Sequence, residues 1–288
     1  MPLPLRSTVM MTKTKLTRRS VASLALALLS AISMACAAEI PDWGCVETAH
    51  FHAPEATQGV AVDADFFYAI GNREIGKYRK SDGVRLAHWQ AEKGGPFVHL
   101  NAGVVEGRKL YVAHSNFPEQ PMRGSVEIWD TRTLRHIGRH DFGETDGSLT
   151  WVDKDRGVWY ANFAQYRNKG GAAGRGPEWT RFVELDANWH AVREWRFPLR
   201  VVKRFGAFSS SGGGFGPLGH LYATGHDAPE LYVFDIPAKG TFLKWRATVS
   251  IPFEGQAFAW DPSQNAVVYG ISRKRHEVIA CKISTPLS

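Results

Sequence analysis

Four ionisable side chains of this 288-residue chain are candidates for acid–base or metal chemistry: His114, His226, Asp227 and Glu254. Imidazole titrates near neutral pH and can accept or donate a proton, so the adjacent His226 and Asp227 form a candidate catalytic pair. Imidazole and carboxylate groups also bind Zn²⁺, and carboxylate with amide oxygens binds Ca²⁺. No compact motif such as HExxH accompanies them, so the sequence leaves a divalent metal, Ca²⁺ or Zn²⁺, open as a cofactor.

An internal repeat predicts the elements that would bring these residues together. Five times, a glycine opens a short apolar run that ends in tyrosine, at 59–68, 103–111, 147–160, 206–222 and 255–269. Two further strand-like runs follow most of these pairs and end in Asp, Asn, Gly or Pro, which favour turns. Strand-rich units repeating about every 45 residues are typical of a β-propeller with four strands, a to d, in each blade.

The count of strands predicts how the propeller closes. The fifth unit stops after its third strand, near Ser284, and residues 45–51 lie where a fourth strand is missing. We therefore predict an all-β, five-bladed propeller whose last blade is completed by the N-terminal strand. Such closure removes exposed sheet edges. A count of six blades is the alternative and would need a hidden unit in the irregular stretch 205–221.

Cysteine placement favours the same closure. Cys45 and Cys281 lie at opposite ends of the mature chain, and an even pair in an oxidising compartment is a disulfide candidate. Closure by the N-terminal strand would put them on neighbouring strands. In the chain-entropy model, a bridge that closes so long a loop contributes about 4–5 kcal/mol to stability.

Residues 1–38 have the features of an export signal. A basic region ends at Arg18-Arg19, an apolar run spans 21–32, and small residues occupy 35–38. The apolar run is shorter than the roughly 20 residues that cross a bilayer, so we expect no stable membrane span. We expect a single domain over 39–288 in the periplasm or outside the cell. A twin-arginine route and lipidation of Cys36 both stay open.

The formal charge of +7 belongs mostly to this leader. Residues 1–38 hold five basic and no acidic side chains, which leaves 30 basic and 28 acidic residues in the remainder. A nucleic-acid-binding domain needs a basic patch on its folded surface, and only 273–276 is locally basic. We therefore expect no nucleic-acid partner. The partner we expect is a small molecule or a glycan, bound by a monomer.

In a propeller, the start of strand a and the end of strand b of every blade meet at one mouth of the central channel. Polar side chains at these positions form the candidate ligand-binding set: Gln58, Asn72, Asn101, Asn116, Asp146, Asn162, Gln256 and Arg273. Convergent polar groups at a concave mouth indicate a ligand site. The alternative is that Asn and Asp only satisfy turn backbones. Two long connections, 117–124 and 167–178, overhang the same mouth.

Residues 57–59 (Thr-Gln-Gly), 101–105 (Asn-Ala-Gly-Val-Val), 110–111 and 125–130 carry a family resemblance over the first two blades. These motifs resemble the five-bladed propellers of the plant and bacterial glutaminyl-cyclase type. The resemblance implies the fold and places Gln58 at the mouth. Those enzymes carry a glutamate just after the strand-b aromatic of the first blade, whereas this chain has Tyr-Ala-Ile-Gly at 68–71. The cyclase activity is therefore not carried over.

Two functions are compatible with these residues. The first is an enzyme that acts on a small polar or sugar-like molecule, with His114, His226, Asp227 and Glu254 as its catalytic or metal-binding groups. The second is a non-catalytic module or scaffold that presents its two long loops to a protein or glycan partner.

Overall fold

The computed structural model describes residues 42–284, which lie within one compact unit. The predicted export signal lies outside the described residues. Between residues 42 and 284 the chain forms twenty strands: β1 (Asp42–His52), β2 (Gly59–Val62), β3 (Phe66–Ile70), β4 (Glu74–Arg79), β5 (Arg85–Gln90), β6 (His99–Glu106), β7 (Lys109–Ser115), β8 (Arg123–Asp130), β9 (His136–Glu144), β10 (Ser148–Asp155), β11 (Val158–Ala164), β12 (Arg181–Leu185), β13 (Ala191–Arg196), β14 (Gly212–Phe215), β15 (Leu221–Thr224), β16 (Glu230–Asp235), β17 (Lys244–Ser250), β18 (Ala259–Trp260), β19 (Val267–Ser272) and β20 (Glu277–Ser284).

Helical structure in this part of the chain is short. One α-helix, α1 (Leu199–Phe205), follows Pro198, and single 3-10 turns occupy Pro177–Trp179, Gly206–Phe208 and Pro217–Gly219. No helix among the described residues has the length and apolar character needed to cross a bilayer.

Twelve consecutive strands form three antiparallel sheets of four, in the orders β2-β3-β4-β5, β6-β7-β8-β9 and β10-β11-β12-β13. The inner strand β2 is buried along its whole length, whereas the outer strand β9 alternates between half-buried and exposed residues. The inner strand β2 is covered on both faces, and its sequence, Gly-Val-Ala-Val, is correspondingly apolar throughout. Asp side chains fix several of the turns: Asp130 accepts a hydrogen bond from the Thr133 N–H, and Asp186 accepts one from the Asn188 N–H.

The remaining strands form one eight-stranded sheet in the order β14-β15-β16-β17-β1-β20-β19-β18. It consists of two sets of four that meet where 42–44 pair in parallel with 248–250. Beyond this short junction, β1 runs antiparallel to β20, from Gly44 opposite Ser284 to His52 opposite Glu277. The predicted pairing of the N-terminal strand with the last strand is therefore present.

The predicted disulfide between Cys45 and Cys281 is confirmed. It joins β1 to β20 across 236 residues of sequence, with a Cα–Cα distance of 5.5 Å. Cys281 is fully buried and packs in an apolar cluster with Tyr222, Val249 and Ile279. The bridge therefore fastens the two ends of the described chain to each other inside a packed core.

Hydrogen bonds join the regions where successive inner strands begin. The donor and acceptor atoms are Leu100 N and Asn72 O (2.9 Å), Asn101 Nδ2 and Leu149 O (3.0 Å), Thr150 Oγ1 and Ser210 O (3.0 Å), Thr224 Oγ1 and Gln256 O (2.5 Å), and Ala257 N and Gln58 O (3.4 Å). The last of these hydrogen bonds connects the segment before the fifth inner strand to the segment before the first, so the five connections form a closed circuit. The inner strands β2, β6, β10, β14 and β18 consequently begin around one shared space.

Aromatic side chains fill the spaces between neighbouring sheets. Trp129 packs with Tyr68 and Leu110 between the first two sheets. Trp151 and Trp195 pack with residues of β14–β17. The tryptophan side chains Trp129, Trp151 and Trp195 are essentially inaccessible to solvent. Burying such large rings is a main source of stability for a fold whose sheets pack face to face.

The irregular stretch 205–221 contains the inner strand β14 between two 3-10 turns and no further sheet. The repeat pattern places the opening of this unit at Gly206, whereas the strand begins at Gly212. Packing explains the difference, because a Cβ atom on Gly213 would lie 2.3 Å from the Trp151 ring. Glycine at this position lets the strand approach a buried tryptophan closely. Because the strand needs glycine here, its sequence lacks the apolar residues that would mark an ordinary strand.

Removing the disulfide should destabilise the protein strongly. We expect Cys45→Ala/Cys281→Ala to lower the free energy of unfolding by about 3–5 kcal/mol, because the bridge restricts a loop of 236 residues in the unfolded chain. Guanidinium unfolding followed by tryptophan fluorescence measures this difference. Addition of reductant should destabilise the parent protein to the level of the double variant and leave the variant unchanged. Equal stability with and without the bridge would contradict its role in closure.

Candidate functional site

A cavity of about 460 Å³ lies where the inner strands begin, and we call it the upper cavity. Each inner strand, or the residue leading into it, contributes one polar side chain: Gln58, Asn101, Thr150, Ser211 and Gln256. All five are uncharged amides or hydroxyls. They converge because the hydrogen bonds described above hold the starts of the inner strands together. The floor of the upper cavity can therefore donate and accept hydrogen bonds without contributing a charge.

The wall of the upper cavity is a continuous series of aromatic rings. The His99 ring lies 5.0 Å from that of Phe117, which meets Tyr166 edge-on at 5.2 Å. Tyr166 contacts Phe208 at 6.1 Å, and Phe208 lies 4.7 Å from the His226 ring. All five rings line the cavity. Flat apolar surfaces beside a polar floor suit a ligand with one apolar face and several hydrogen-bonding groups.

The two long loops contact each other beside this wall. Gln120 Nε2 of the first loop donates a hydrogen bond of 3.0 Å to the Gly170 carbonyl of the second. Gly170 has a φ of +77°, and a Cβ atom there would lie 2.3 Å from the Phe117 ring. The neighbouring residue, Lys169, lines the cavity. Glycine at 170 therefore lets the second loop rest on Phe117 and bring a lysine to the mouth.

The charges at the upper cavity are unbalanced. Among the residues of 42–284 that line it, Lys169 is the only lysine or arginine, and no aspartate or glutamate lines it. His99, His226, Asn72, Tyr166 and the five floor residues supply the remaining polar groups. The cavity consequently disfavours a cationic ligand and suits a neutral or anionic one.

His99 is the imidazole best placed to meet a ligand. Burial, with smaller contributions from the neighbouring His114 and His226, lowers its pKa to about 4. Its ring makes no side-chain hydrogen bond within the described chain. A neutral imidazole without a protein partner can donate one hydrogen bond and accept another from a molecule in the cavity.

His226, in contrast, has both ring nitrogens occupied. Nδ1 lies 2.7 Å from Asp227 Oδ1, and Nε2 lies 3.2 Å from an Arg273 guanidinium nitrogen. A guanidinium only donates hydrogen bonds, so Nε2 is the acceptor. The ring proton is therefore on Nδ1, which donates a hydrogen bond to Asp227 Oδ1. Burial, followed by Arg273, lowers the pKa of His226, in keeping with this neutral form. The ring lines the cavity but offers no free nitrogen to a substrate or metal.

The other two residues of the expected catalytic set do not line the upper cavity. His114 is absent from the cavity lining: its Nε2 accepts from the Val98 N–H at 3.2 Å, and its Nδ1 lies 3.0 Å from Ser125 Oγ. Glu254 accepts a hydrogen bond of 2.7 Å from the Arg273 N–H. Within residues 42–284, no three His, Cys, Asp or Glu side chains are grouped so that they could hold a metal ion. The arrangement therefore does not unite the four residues.

The expected ligand-binding set divides into two parts. Gln58, Asn72, Asn101 and Gln256 line the upper cavity. Asn162 lies fully buried behind the floor and donates a 2.9 Å hydrogen bond to Thr150 Oγ1, so it orients a lining residue.

The remaining members organise loops. Asn116 accepts a hydrogen bond from the Arg123 N–H at 2.7 Å and donates one to the Pro121 carbonyl at 3.0 Å. Asp146 pairs with Arg175 and accepts from Gln165 Nε2 at 2.9 Å. The contacts of Asn116 and Asp146 match the alternative that such residues satisfy the polar groups of loops. Arg273 bridges two loops through Glu254, Asp227 and His226.

Sequence reasoning missed several lining residues. His99 precedes Asn101 by two positions in β6, and alternate residues of a strand share a face, so this signal was available. Thr150 could have been found in the same way from the start of β10. Tyr166 and Ser211 lie in irregular segments whose side-chain directions no periodicity predicts.

Comparison with solved structures places the fold among propellers. The glutaminyl cyclase of Myxococcus xanthus is similar at a TM-score of 0.59 and 10% identity, over 85% of this chain and 99% of that chain. The PQQ-bound aldose sugar dehydrogenase of Streptomyces coelicolor is similar at a TM-score of 0.52 and 9% identity, over 83% of this chain and 98% of that one. No protein-family model and no curated sequence matches.

These similarities define the class of protein and no more. The chain has an all-β, propeller-type fold built of four-stranded sheets. At sequence identities near 10%, the similarity shows a shared fold and does not assign the activities of those proteins to this chain.

The pKa of His99 predicts acid sensitivity. Its folded-state pKa of about 4 lies below the ordinary value of 6.5, so the unfolded chain binds the extra proton more readily as pH falls through this range. We expect this residue alone to remove about 2–3 kcal/mol of stability between pH 7.5 and pH 4.5. Thermal unfolding of His99→Gln should show a correspondingly smaller loss than the parent. His52→Gln, at an exposed site, is the matched control and should behave like the parent.

Proposed function

We propose that this chain is an exported, five-bladed propeller that binds a small polar, uncharged or anionic molecule in the upper cavity. The count of five rests on the three separate sheets of four together with the two sets of four in the eight-stranded sheet. Export is supported by the disulfide, since such bonds persist in oxidising compartments. A glutaminyl cyclase is similar in structure, which favours the same assignment of fold.

The observation that carries the binding proposal is the chemistry of the cavity lining. Five neutral hydrogen-bonding side chains form the floor, aromatic rings form the wall, and Lys169 supplies the only formal charge from the described lining residues. Sugar-like and amide-bearing molecules match this combination, because they stack on rings through one face and exchange hydrogen bonds through their edges. Lys169 adds a preference for a carboxylate or similar anionic group on that molecule.

Cyclisation of an N-terminal glutamine is not what we propose. The family resemblance implies a glutamate near residues 69–71, and none is present. The upper cavity has no aspartate or glutamate among its described lining residues that would attract a protonated amine.

Catalysis in the upper cavity is the second candidate, and His99 is the observation that favours it. A proton acceptor must be neutral at the working pH and must reach the ligand, and His99 meets both conditions. His226 would first have to exchange its hydrogen bond from Arg273. Binding without turnover remains the primary proposal, because no aspartate or glutamate of the described residues lines the cavity with His99, and both ring nitrogens of His226 are engaged by protein groups.

A scaffold role for the two loops is less well supported. The loops hold each other through Gln120 and Gly170 and cover the side of the cavity, which suits a small ligand beneath them. Deleting 169–176 separates the possibilities, since capture of a protein partner would depend on this segment alone. Loss of small-molecule binding together with an unchanged fold favours the cavity.

A charge series on one sugar skeleton tests the proposal. We expect glucuronate to bind more tightly than glucose, and glucose more tightly than glucosamine, because Lys169 favours a negative group and repels a positive one. Ligand-observed NMR and isothermal titration calorimetry measure these affinities. Lys169→Gln should weaken glucuronate about three- to tenfold and leave glucose unchanged, as expected for one exposed charge contact.

Lys244→Gln, which removes an exposed lysine from the outer strand β17, serves as the matched control. It should leave the order of affinities intact. Glucosamine binding most tightly, or equal affinity for all three sugars in both variants, would contradict the proposal.

A further inference from the structure

A second cavity, of about 280 Å³, lies at the opposite ends of the same inner strands, and we call it the lower cavity. Its lining includes Val62 of β2, Val105 of β6, Asp153 of β10, Phe215 of β14 and Trp260 of β18. Every inner strand therefore contributes to it, as every inner strand contributes to the upper cavity. Nothing in the function proposed above uses this space.

The charges at the lower cavity leave one carboxyl group without a counter-charge. Glu106 at the rim pairs with Lys154 Nζ at 3.1 Å. Asp153 forms no ion pair with any Lys, Arg or His side chain of the described chain. Its Oδ2 accepts a hydrogen bond of 2.6 Å from the Phe215 N–H, which is neutral. The net charge of this lining is consequently negative and is concentrated at Asp153.

Asp153 also lowers the stability of the fold at neutral pH. Burial raises its pKa to about 7, and Asp155 and Glu106 add repulsion, while the N–H groups of Phe215 and Lys154 oppose the shift. The folded state therefore keeps a proton that the unfolded chain releases near pH 4. Stability falls as pH rises from that value through about 7. A half-buried carboxyl that reduces stability and has no counter-charge among the described residues is characteristic of a functional position.

Aromatic rings stand beside this carboxyl. Phe215, Phe258 and Trp260 line the lower cavity, and the Trp260 ring meets Phe258 nearly perpendicularly at 6.2 Å. A Cβ atom on Gly214 would lie 3.0 Å from Asp153 Oδ2 and 3.9 Å from Trp260 Cδ1. Glycine at this position keeps open the space between the carboxylate and the indole, where a side chain would otherwise project.

We propose that the lower cavity binds a small organic ammonium ion, with Asp153 as its counter-charge and Trp260 and Phe215 as its aromatic surfaces. A carboxylate attracts the positive charge, and the faces of aromatic rings stabilise a cation bearing alkyl groups through their quadrupoles. The ligand supplies the counter-charge that the protein lacks. This site prefers the opposite charge to the upper cavity, and its existence does not depend on the function proposed there.

Choline and 3,3-dimethylbutan-1-ol form the decisive pair of probes, because they have the same shape and hydroxyl group and differ only in replacing nitrogen by carbon. Titration calorimetry at pH 8, where Asp153 is ionised, measures both affinities. We expect choline to bind at least tenfold more tightly than its uncharged isostere. Equal affinity of the two probes, or absence of choline binding, overturns the proposal.

Two substitutions test whether Asp153 is the counter-charge. Asp153→Asn keeps a carbonyl oxygen for the Phe215 N–H and should weaken choline binding at least tenfold. Asp155→Asn is the matched control, since that carboxyl pairs with Arg156 and does not line the cavity, and it should retain full affinity. Equal effects of the two substitutions overturn the assignment.

Two further controls test whether a loss of choline binding comes from unfolding or from binding in the upper cavity. Asp153→Asn should melt at the parent's temperature or above it at pH 8, because it removes an unfavourable buried charge, so lost binding cannot be attributed to unfolding. Should the variant prove destabilised, the comparison of choline with its isostere on the parent protein still decides the proposal. Lys169→Gln should leave choline affinity unchanged, and a change would show that choline occupies the upper cavity instead.

Discussion

The contact on which both cavities depend is the meeting of the two ends of the described chain. β1 pairs with β20, the disulfide fastens the pair, and the Ala257 N–H reaches the Gln58 carbonyl to join the last inner strand to the first. Elsewhere, successive sheets are joined by the chain itself, and residues 53–58 connect β1 directly to β2. The pairing of β1 with β20 joins strands that are distant in sequence, so it is held by packing, hydrogen bonds and the disulfide bond. Opening it would separate Gln58 from Gln256 and remove one side of each cavity.

The direction of the inner strands explains why the two cavities differ. Each inner strand begins at the upper cavity and runs towards the lower one, so residues that share a place in the repeat share an environment. Amides and hydroxyls gather at the strand starts, where they also bond neighbouring sheets together. The carboxyl groups of Glu106 and Asp153 lie where the strands end. This separation along the channel is the basis for the opposite charge preferences that we propose for the two cavities.

The sequence predicted the architecture well because its signals were repeated. Glycine, apolar and tyrosine positions recur in phase, and the two cysteines gave an independent indication of closure. The polar residues found at the upper cavity, Gln58, Asn101 and Gln256, were those nearest the strand starts, where position in the repeat determines location. The fourth inner strand was placed too early, at Gly206, since a strand made of glycines packed on Trp151 has no apolar alternation to detect.

The chemistry of individual side chains was harder to predict, because it depends on groups from other units. Asp153 has an ordinary place in a strand, and burial, with repulsion from Asp155 and Glu106, raises its pKa to about 7. The pKa of His99 likewise depends on a residue from another segment, because Phe117, from the connection after β7, covers the His99 ring. Neither pKa shift can be inferred from the local sequence around the titrating residue.

Three of the four residues predicted to be catalytic, His226, Asp227 and Glu254, are held together by Arg273. Arg273 donates to Asp227 at 2.7 Å and to His226, while Glu254 accepts from the Arg273 backbone. Residues 225–227 and 254–255 are pressed together here, since a Cβ atom on Gly255 would lie 2.6 Å from the Gly225 carbonyl oxygen. Charged side chains at a propeller mouth can hold loops together or contact a ligand. The number of hydrogen-bond and ion-pair partners within the protein distinguishes these two roles. Two guanidinium nitrogens of Arg273 donate to His226 and Asp227, whereas the His99 ring has no hydrogen-bond partner among the described residues and Asp153 has no basic partner there.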